Sequence, residues 1–504
     1  MGCFSASLVR AHCLNAIGWP GVDSQGHVPT GWARAIWTER NSNNKHGRDI
    51  RSFYTWEVLS RSSILAIALL AAVFLYTWSL NRVGIITPDE PRYAAIARNM
   101  AVTGDYVSPV LWGEPWFEKP ALLYWLSAAG YRMGLPGEFA PRLPVALLSV
   151  LFLGFFYFAL SRVLASEETA GIATAMLATS VFWFAFSQVA VTDLPLAATF
   201  NAGLLCLLLG WRWTAAVLFG LSLLAKGLVA PLLLLPTLWL VRRDWRQWVF
   251  PALAGLAVAA LWYVPITLKY GMAFWQVFFI EHHLGRFAKP ELQHVQPVWF
   301  YLPVILGAMM PWTVLAVSPK VFRDPRTKAF VWTALWGLFF FSMAKNKLPG
   351  YLLPLLPSLC VLGAVRFQAS RHKKLLLALC LASLTVVAFA CELVPAVMAS
   401  GLNRNSFTTS GFHWWFLLFG LLCIRPNFQV VVAATFVVLV WFQWSKLEQI
   451  NSRGSARLVW AGMKMKPVAE QCVEAGVSRS IRYGLNYYAE RTLPPCPESG
   501  KPND

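Results

Sequence analysis

Asp89 and Glu90 stand side by side in Ile86-Thr-Pro-Asp-Glu-Pro-Arg-Tyr93, just after the apolar run Ile64 to Leu80. A carboxylate at such an edge can take a proton from an attacking hydroxyl or hold a divalent ion. Further along, Glu118-Lys119, Asp193, Lys226, Glu281-His282-His283, Arg286 and Lys345-Asn346-Lys347 add acids and bases at the ends of other apolar runs. Lys119, Lys226, Arg286, Lys345 and Lys347 are of the types that bind a phosphate. Glu281, His282 and His283 place a carboxylate and two imidazoles together, a set that suits a metal ion and equally a solvated polar turn.

The elements that position these residues are written in the composition. The chain has 504 residues, 57% hydrophobic and 13% charged, against about a quarter charged in a soluble domain. This predicts an all-α polytopic membrane protein. Aromatic residues make up 14%, with 25 Trp, which suits interfacial belts. A bilayer core needs roughly 20 apolar residues as helix. Thirteen candidate spans follow: 64–80, 139–161, 169–187, 194–210, 211–226, 228–241, 248–268, 299–317, 327–344, 348–368, 372–392, 411–424 and 427–445. Residues 1–63 read as a cytoplasmic, unstructured extension, 64–445 as the membrane domain, and 446–504 as a small external domain.

Lys and Arg orient the spans. With the N-terminus inside, the inner connections hold Arg162; Arg212; Arg242, Arg243 and Arg246; Lys320, Arg323, Arg326 and Lys328; Arg366, Arg371, Lys373 and Lys374; and Arg425. That is the positive-inside pattern. It accounts for most of the +19 net charge and removes nucleic acid as a partner. It also argues for two spans separated at Lys226-Gly227 over one long helix. The acidic residues Asp89, Glu90, Asp105, Glu114, Glu118, Asp193 and Glu281 then share the external face. Single charges at span edges are often snorkelling ends, but a set converging on one face points to a site.

The first external loop, 81–138, is long and carries an apolar helix around 120–133 that suits the membrane surface. Carboxylates beside cations at this boundary suit group transfer from a lipid phosphate donor. No phosphate-binding Gly-rich loop or dinucleotide fingerprint occurs, so no nucleotide cofactor is expected. The rival class is a transporter or flippase of a lipid-linked sugar. Such proteins carry internal repeats and mid-membrane charges, whereas the charges here sit at span ends.

The motifs resemble those of the GT-C membrane glycosyltransferases, in the branch that contains the lipid A aminoarabinose transferases and, more distantly, the protein O-mannosyltransferases. Thr87-Pro-Asp-Glu-Pro-Arg-Tyr-Ala is similar to the family's first-loop motif, followed by Gly104-Asp105-Tyr106 and by Phe117-Glu118-Lys119-Pro120 with Tyr124-Trp125. Thr192-Asp193-Leu-Pro195, Ala225-Lys226-Gly227, Glu281-His282-His283-Leu-Gly-Arg286-Phe287 and Lys345-Asn-Lys347-Leu-Pro349-Gly-Tyr351 then match in order. The resemblance implies a GT-C fold of about 13 transmembrane helices with external juxtamembrane helices. It implies inverting transfer of an aminoarabinose- or hexose-like sugar from a polyprenyl phosphate, in a monomer of the bacterial inner membrane with its active site outside. Asp89 would be the main catalytic carboxylate, joined by Asp193 and Glu90. Lys119, Arg286 and Tyr351, with Lys345, Lys347 and Lys226, would bind the donor phosphate. Glu118 would hold a divalent metal with one of Glu281, His282 or His283. The acceptor would be a lipid A-type glycolipid, with a protein hydroxyl or another glycolipid as alternatives.

The tail after 445 matches no motif. It is too small to build much core unaided, and it holds Cys472 and Cys496. A disulfide closing that loop would contribute roughly 3–4 kcal/mol by chain entropy. Two free thiols are the alternative.

Overall fold

The computed structural model describes residues 61–285, 295–315, 325–400 and 418–497. Most of the expected N-terminal extension, Arg286 and the last seven residues of the tail lie outside these, as does the side chain of His283.

The chain is built almost wholly of helices. In order they are α1 (Arg61–Thr77), α2 (Glu90–Thr103), α3 (Leu122–Arg132), α4 (Phe139–Val163), α5 (Glu167–Thr179), α6 (Val181–Phe186), α7 (Asp193–Leu208), α8 (Arg212–Lys226), α9 (Val229–Val241), α10 (Val249–Trp275), α11 (Tyr301–Ala308), α12 (Lys328–Met343), α13 (Leu356–Ala369), α14 (Lys373–Ser400), α15 (Leu418–Leu422), α16 (Phe428–Ser445), α17 (Leu447–Gly454), α18 (Arg457–Met463) and α19 (Arg479–Ala489). A two-residue hairpin, Val110–Leu111 against Glu114–Pro115, is the one sheet among the described residues.

Among the described residues, five stretches are long and apolar enough to cross a bilayer: Phe139–Val163, Trp245–His282, Pro349–Ala369, Lys373–Pro395 and Phe428–Ser445. Shorter apolar helices run over Leu65–Thr77, Asp193–Leu208, Val229–Leu238 and Val298–Ala308. The chain is thus a multi-pass helical membrane protein, but helix length alone does not reach thirteen crossings. Two expected spans are broken. The 169–187 span bends at Ser180, whose ψ of 140° ends α5 and frees the Val181 N–H to bond the Met310 carbonyl at 3.3 Å. The 299–317 span divides into α11 and a short 3₁₀ turn, Trp312–Leu315. The break between α8 and α9 falls at Lys226-Gly227 as expected. Gly227 has φ +61° and ψ −135°, a conformation that side-chain-bearing residues avoid.

The 269–298 connection differs from the expected loop. Helix persists past a bend at Gly271 and continues π-helically over Gln276–Gly285. An aromatic stack holds it: Phe274 lies 5.2 Å from Phe278 and 5.5 Å from Trp262, and Tyr270 lies 4.9 Å from Phe117 of the first loop. Aromatic pairs at these separations add to simple burial.

The first loop is anchored at both ends. Its far half is tied to α10 by Trp262 Nε1 donating to Val107 O at 2.9 Å and by Lys269 to Asp105 at 2.8 Å. Its near half is fixed by Arg142 at the start of α4. Arg142 forks onto both oxygens of Glu90, at 2.7 and 2.8 Å, and also bonds the carbonyls of Leu80, Val83 and Gly84.

Among the described residues of the tail, Ala456, Val473, Leu485 and Leu493 form a small buried cluster of its own. Cys472 and Cys496 are bonded, and the segment docks on the first loop. Arg457 and Tyr488 bond Glu138, and Asn451 accepts from the Gly84 N–H at 2.9 Å. A Cβ on Gly84 would meet Ser455 Oγ at 2.1 Å, so only glycine permits this approach.

Burial opposes ionisation of Glu138, but hydrogen bonds from Arg457 and Tyr488 outweigh it and hold the carboxyl below its ordinary range. A depressed carboxyl stabilises the folded form at pH above its unfolded value, about 4.3, and the contribution is lost as pH falls through the lower folded value. The protection factors of the amides over 479–489 should therefore stay high at neutral pH and fall only below the ordinary glutamate range. Glu138→Gln should raise exchange at pH 7 and flatten this dependence. A wild-type profile already flat from neutral to acid would remove the role given to Glu138.

Candidate active site

Asp89 sits at the N-terminus of α2, next to Thr87, whose φ of +64° is uncommon for a residue with a branched side chain. Pro91 in the first turn favours a helix start there. The Asp89 side chain does not cap the helix. It pairs with Arg92, one turn on, and its side chain is 39% exposed.

Arg92 joins two carboxylates. Its Nη1 donates to Glu118 Oε2 at 2.9 Å, its Nη2 to Asp89 Oδ1, and its Nε to the Pro88 carbonyl at 3.0 Å. Burial works against its charge, but Glu118 and then Asp89 outweigh that and raise its pKa above the ordinary arginine value. The other oxygen of Glu118 meets Lys119 Nζ at 3.2 Å. Asp89, Arg92, Glu118 and Lys119 thus form one continuous chain of alternating charge.

A cavity of about 150 Å³ opens beside this chain. Its lining combines the polar Glu118, Lys119, Asp193, Lys226, His282, Asn346 and Tyr351 with the apolar Leu196, Leu228, Val229, Leu232, Phe340 and Phe341. Lys226 donates to Asp193 Oδ1 at 2.6 Å and lies 4.7 Å from the Tyr351 ring centre. Residues from five separate connections therefore converge at one end of the helices, as the one-sided placement of acidic residues predicted.

Other expected site residues lie elsewhere. Glu90 is fully buried, and its two oxygens take Arg142 together with the N–H groups of Ile86 and Ala190, each at 3.0 Å. It fastens the loop and does not face the cavity. Lys347 is also buried, its ammonium held by the carbonyls of Ala344 at 2.6 Å and Gln296 at 2.9 Å. Burial lowers its pKa. Lys345 and Glu281 are exposed and line no part of the cavity wall. Glu118 and His282 share the wall, but among the described residues no three His, Cys, Asp or Glu side chains converge as a metal cluster. Arg92 and Asn346 stand inside the sequence motifs, which by themselves give them no role. The spacing of Arg92 three residues beyond Asp89 at a helix start, where such pairs meet, was the available signal.

Known proteins resemble this chain in sequence and in fold. Residues 62–279 match the family model described as dolichyl-phosphate-mannose-protein mannosyltransferase. The chain is 32% identical over 343 residues to the undecaprenyl phosphate-alpha-4-amino-4-deoxy-L-arabinose arabinosyl transferase of Pseudomonas aeruginosa strain PAO1, covering 62% of this chain and 61% of that protein. It is 33% identical over 329 residues to the second such enzyme of Pseudomonas fluorescens strain Pf0-1, covering 59% of each. These alignments span about three fifths of the relatives' length. Among solved structures, ArnT from Cupriavidus metallidurans bound to undecaprenyl phosphate superposes with a TM-score of 0.70 at 23% identity, over 88% of this chain and 87% of that one. That likeness shows a shared fold. The resemblance read from the motifs is thus met again in the comparisons: part of the chain is similar to the mannosyltransferase family model and to aminoarabinose transferases.

Proposed function

We propose that this chain transfers a sugar from a polyprenyl phosphate to an acceptor hydroxyl at the external face of a bacterial inner membrane, in a GT-C fold of about thirteen crossings. The observation that carries the reading is the cavity itself, whose lining joins acidic and basic side chains with apolar ones. Cations there suit a phosphate, and the apolar side chains suit the start of a prenyl chain. The relatives named for undecaprenyl phosphate-linked aminoarabinose favour that donor class, with a lipid A-type glycolipid as acceptor.

In the reaction the acceptor oxygen attacks the anomeric carbon from the face opposite the phosphate. The carbon–phosphate oxygen bond breaks, its electron pair leaves with the polyprenyl phosphate, and Asp89 takes the acceptor proton. Lys119, Lys226, Tyr351 and Arg286 steady the departing phosphate, where charge grows during bond breaking. Asp193 orients Lys226 and the sugar. Glu118 and His282 would hold a divalent ion that neutralises phosphate charge. Glu118 would have to share its oxygens between that ion and its two present partners, Arg92 and Lys119.

Lipids from a deletion strain, compared with the parent by thin-layer chromatography, test the acceptor. Loss of a sugar-modified lipid A species supports the reading, while an unchanged lipid A with lost protein glycosylation moves the acceptor to protein. Asp89→Asn should fold in normal yield and lose roughly 10² to 10⁴-fold in turnover. Asp89→Glu should also be impaired, since it displaces the carboxylate by about a methylene. Near-parental turnover by the Asn variant would remove Asp89 from the chemistry.

The different settings of Tyr351 and Lys347 separate donor binding from scaffolding. Tyr351→Phe should raise the donor KM with stability unchanged. Lys347→Met should cost about 1–3 kcal/mol of stability by leaving carbonyls unpaired, with the donor KM intact. The opposite split would exchange their roles. For the ion, elemental analysis of purified protein should find a bound divalent metal that His282→Ala loses. Metal-free parent protein would dismiss it.

A further inference from the structure

The disulfide-closed tail reaches the charge chain beside Asp89. We infer that Tyr483, from this tail, is a positioning residue for the transfer reaction, holding Arg92 in the orientation that binds Asp89 and Glu118 together. The inference rests on the proposed glycosyl transfer.

Arg92 has all three of its nitrogens engaged, by Pro88, Glu118 and Asp89. What hydrogen bonds leave open is the broad face of the guanidinium, which aromatic rings fill. The Trp116 and Tyr483 ring centres each lie 5.3 Å from its central carbon. Trp116 comes from the loop itself, but Tyr483 arrives from a separate part of the chain. Its ring also lies 5.8 Å from Trp112 in the hairpin. A guanidinium within about 6 Å of a ring is attracted to its face, and the covering rings keep water from competing for its hydrogens.

The tail is built to hold this ring still. Tyr483 and Tyr487 are four residues apart on α19 and so lie on one face. The Tyr487 hydroxyl shares a hydrogen bond of 2.9 Å with Tyr131, and Arg98 donates to the Tyr487 carbonyl at 2.6 Å. Tyr488 donates to Glu138 at 2.5 Å and accepts from the Ile85 N–H at 3.1 Å. Before the helix, Ser478 accepts from the Ile481 N–H, and the Cys472–Cys496 bond is flanked by Val473 bonds to Pro494 and Cys496, each 2.9 Å. The contacts of α19 therefore bracket the loop on both sides of Asp89: at Ile85 before it, and at Arg92 and Arg98 after it.

If the ring acts through Arg92, its removal should slow the chemical step and leave donor binding alone, because Tyr483 lines no part of the donor cavity. The full-length purified chain is assayed with a polyprenyl-phosphate sugar and its lipid acceptor. Tyr483→Ala should lose about tenfold in kcat, with the donor KM within about twofold, as a small displacement of a catalytic group implies. Tyr483→Phe keeps the ring and should stay near parental. The Cys472–Cys496 peptide pair, mapped by mass spectrometry without reduction, should persist in both variants. Tyr483→Ala with parental kcat overturns the inference, as does an equal loss in Tyr483→Phe or an effect confined to the donor KM. A second readout needs no turnover: phenylglyoxal should modify Arg92 slowly in the parent and in Tyr483→Phe, and much faster in Tyr483→Ala. If the parent transfers no sugar from any donor, the proposed function fails, and the Arg92 reactivity still decides the placement of Tyr483. Equal reactivity in all three proteins overturns that placement.

Discussion

Glu90 and Arg142 form the contact on which the active end of the molecule depends. Two charges are sealed from water where the first apolar helix gives way to the loop. Taking them out of water is costly, and breaking such a pair by removing one partner typically costs about 3–5 kcal/mol. The pair persists because every donor and acceptor is used. Arg142 satisfies three loop carbonyls as well as the carboxylate, and Glu90 takes two further backbone N–H groups. One of these, from Ala190, belongs to the segment leading to Asp193. The pair therefore fixes the loop of Asp89 and the approach to Asp193 from a single point.

That anchor explains how two adjacent carboxylates come to have opposite surroundings. Glu90 is spent on structure, and Asp89, the next residue back, is left partly open to solvent. On a helix start, neighbouring residues diverge by about 100°. One therefore turns into the protein when its neighbour turns out. Arg92, a turn further, then reaches back to Asp89 and across to Glu118, linking the exposed carboxylate to the cavity wall. The start of one short helix thus supplies an anchor, the carboxylate proposed to react and the cation that pairs with it.

Much of this was legible in the sequence, for identifiable reasons. The multi-pass helical character follows from composition, and the break at Lys226-Gly227 from the Lys and Arg asymmetry. The convergence of Glu118, Asp193, Lys226, His282 and Tyr351 follows from their lying at span ends on one face. The fate of adjacent or repeated residue types was not legible. Glu90 is decided by Arg142, 52 residues away, and Lys347 by the carbonyl of Gln296 across a small bridge between Val295 and Asn346. Nor does α19 signal its place. Its tyrosines suit a packed face, but nothing local says that the face meets Arg92 and the first loop. Residue type announces what a side chain can do, and the partners that use up its hydrogen bonds settle what remains for it to do.

The charges at the cavity carry a further constraint. In its lining Glu118 and Asp193 face Lys119 and Lys226, and the Asp89–Arg92 pair outside the lining joins them through Glu118, so these described groups are balanced before any donor enters. A phosphodiester adds one negative charge to a balanced set. Its binding is therefore weaker than a count of cations implies, since each cation must divide its hold between a carboxylate and the phosphate. Bond cleavage changes that account. In the proposed transfer the departing phosphate monoester would gain charge as the sugar leaves, and the cations could follow it at the expense of their carboxylates. Interactions that strengthen only as the leaving group departs lower the barrier without tightening the resting complex. Pairing Lys226 with Asp193 and Lys119 with Glu118 keeps these ammonium groups in place and desolvated beforehand, ready for the charge that forms.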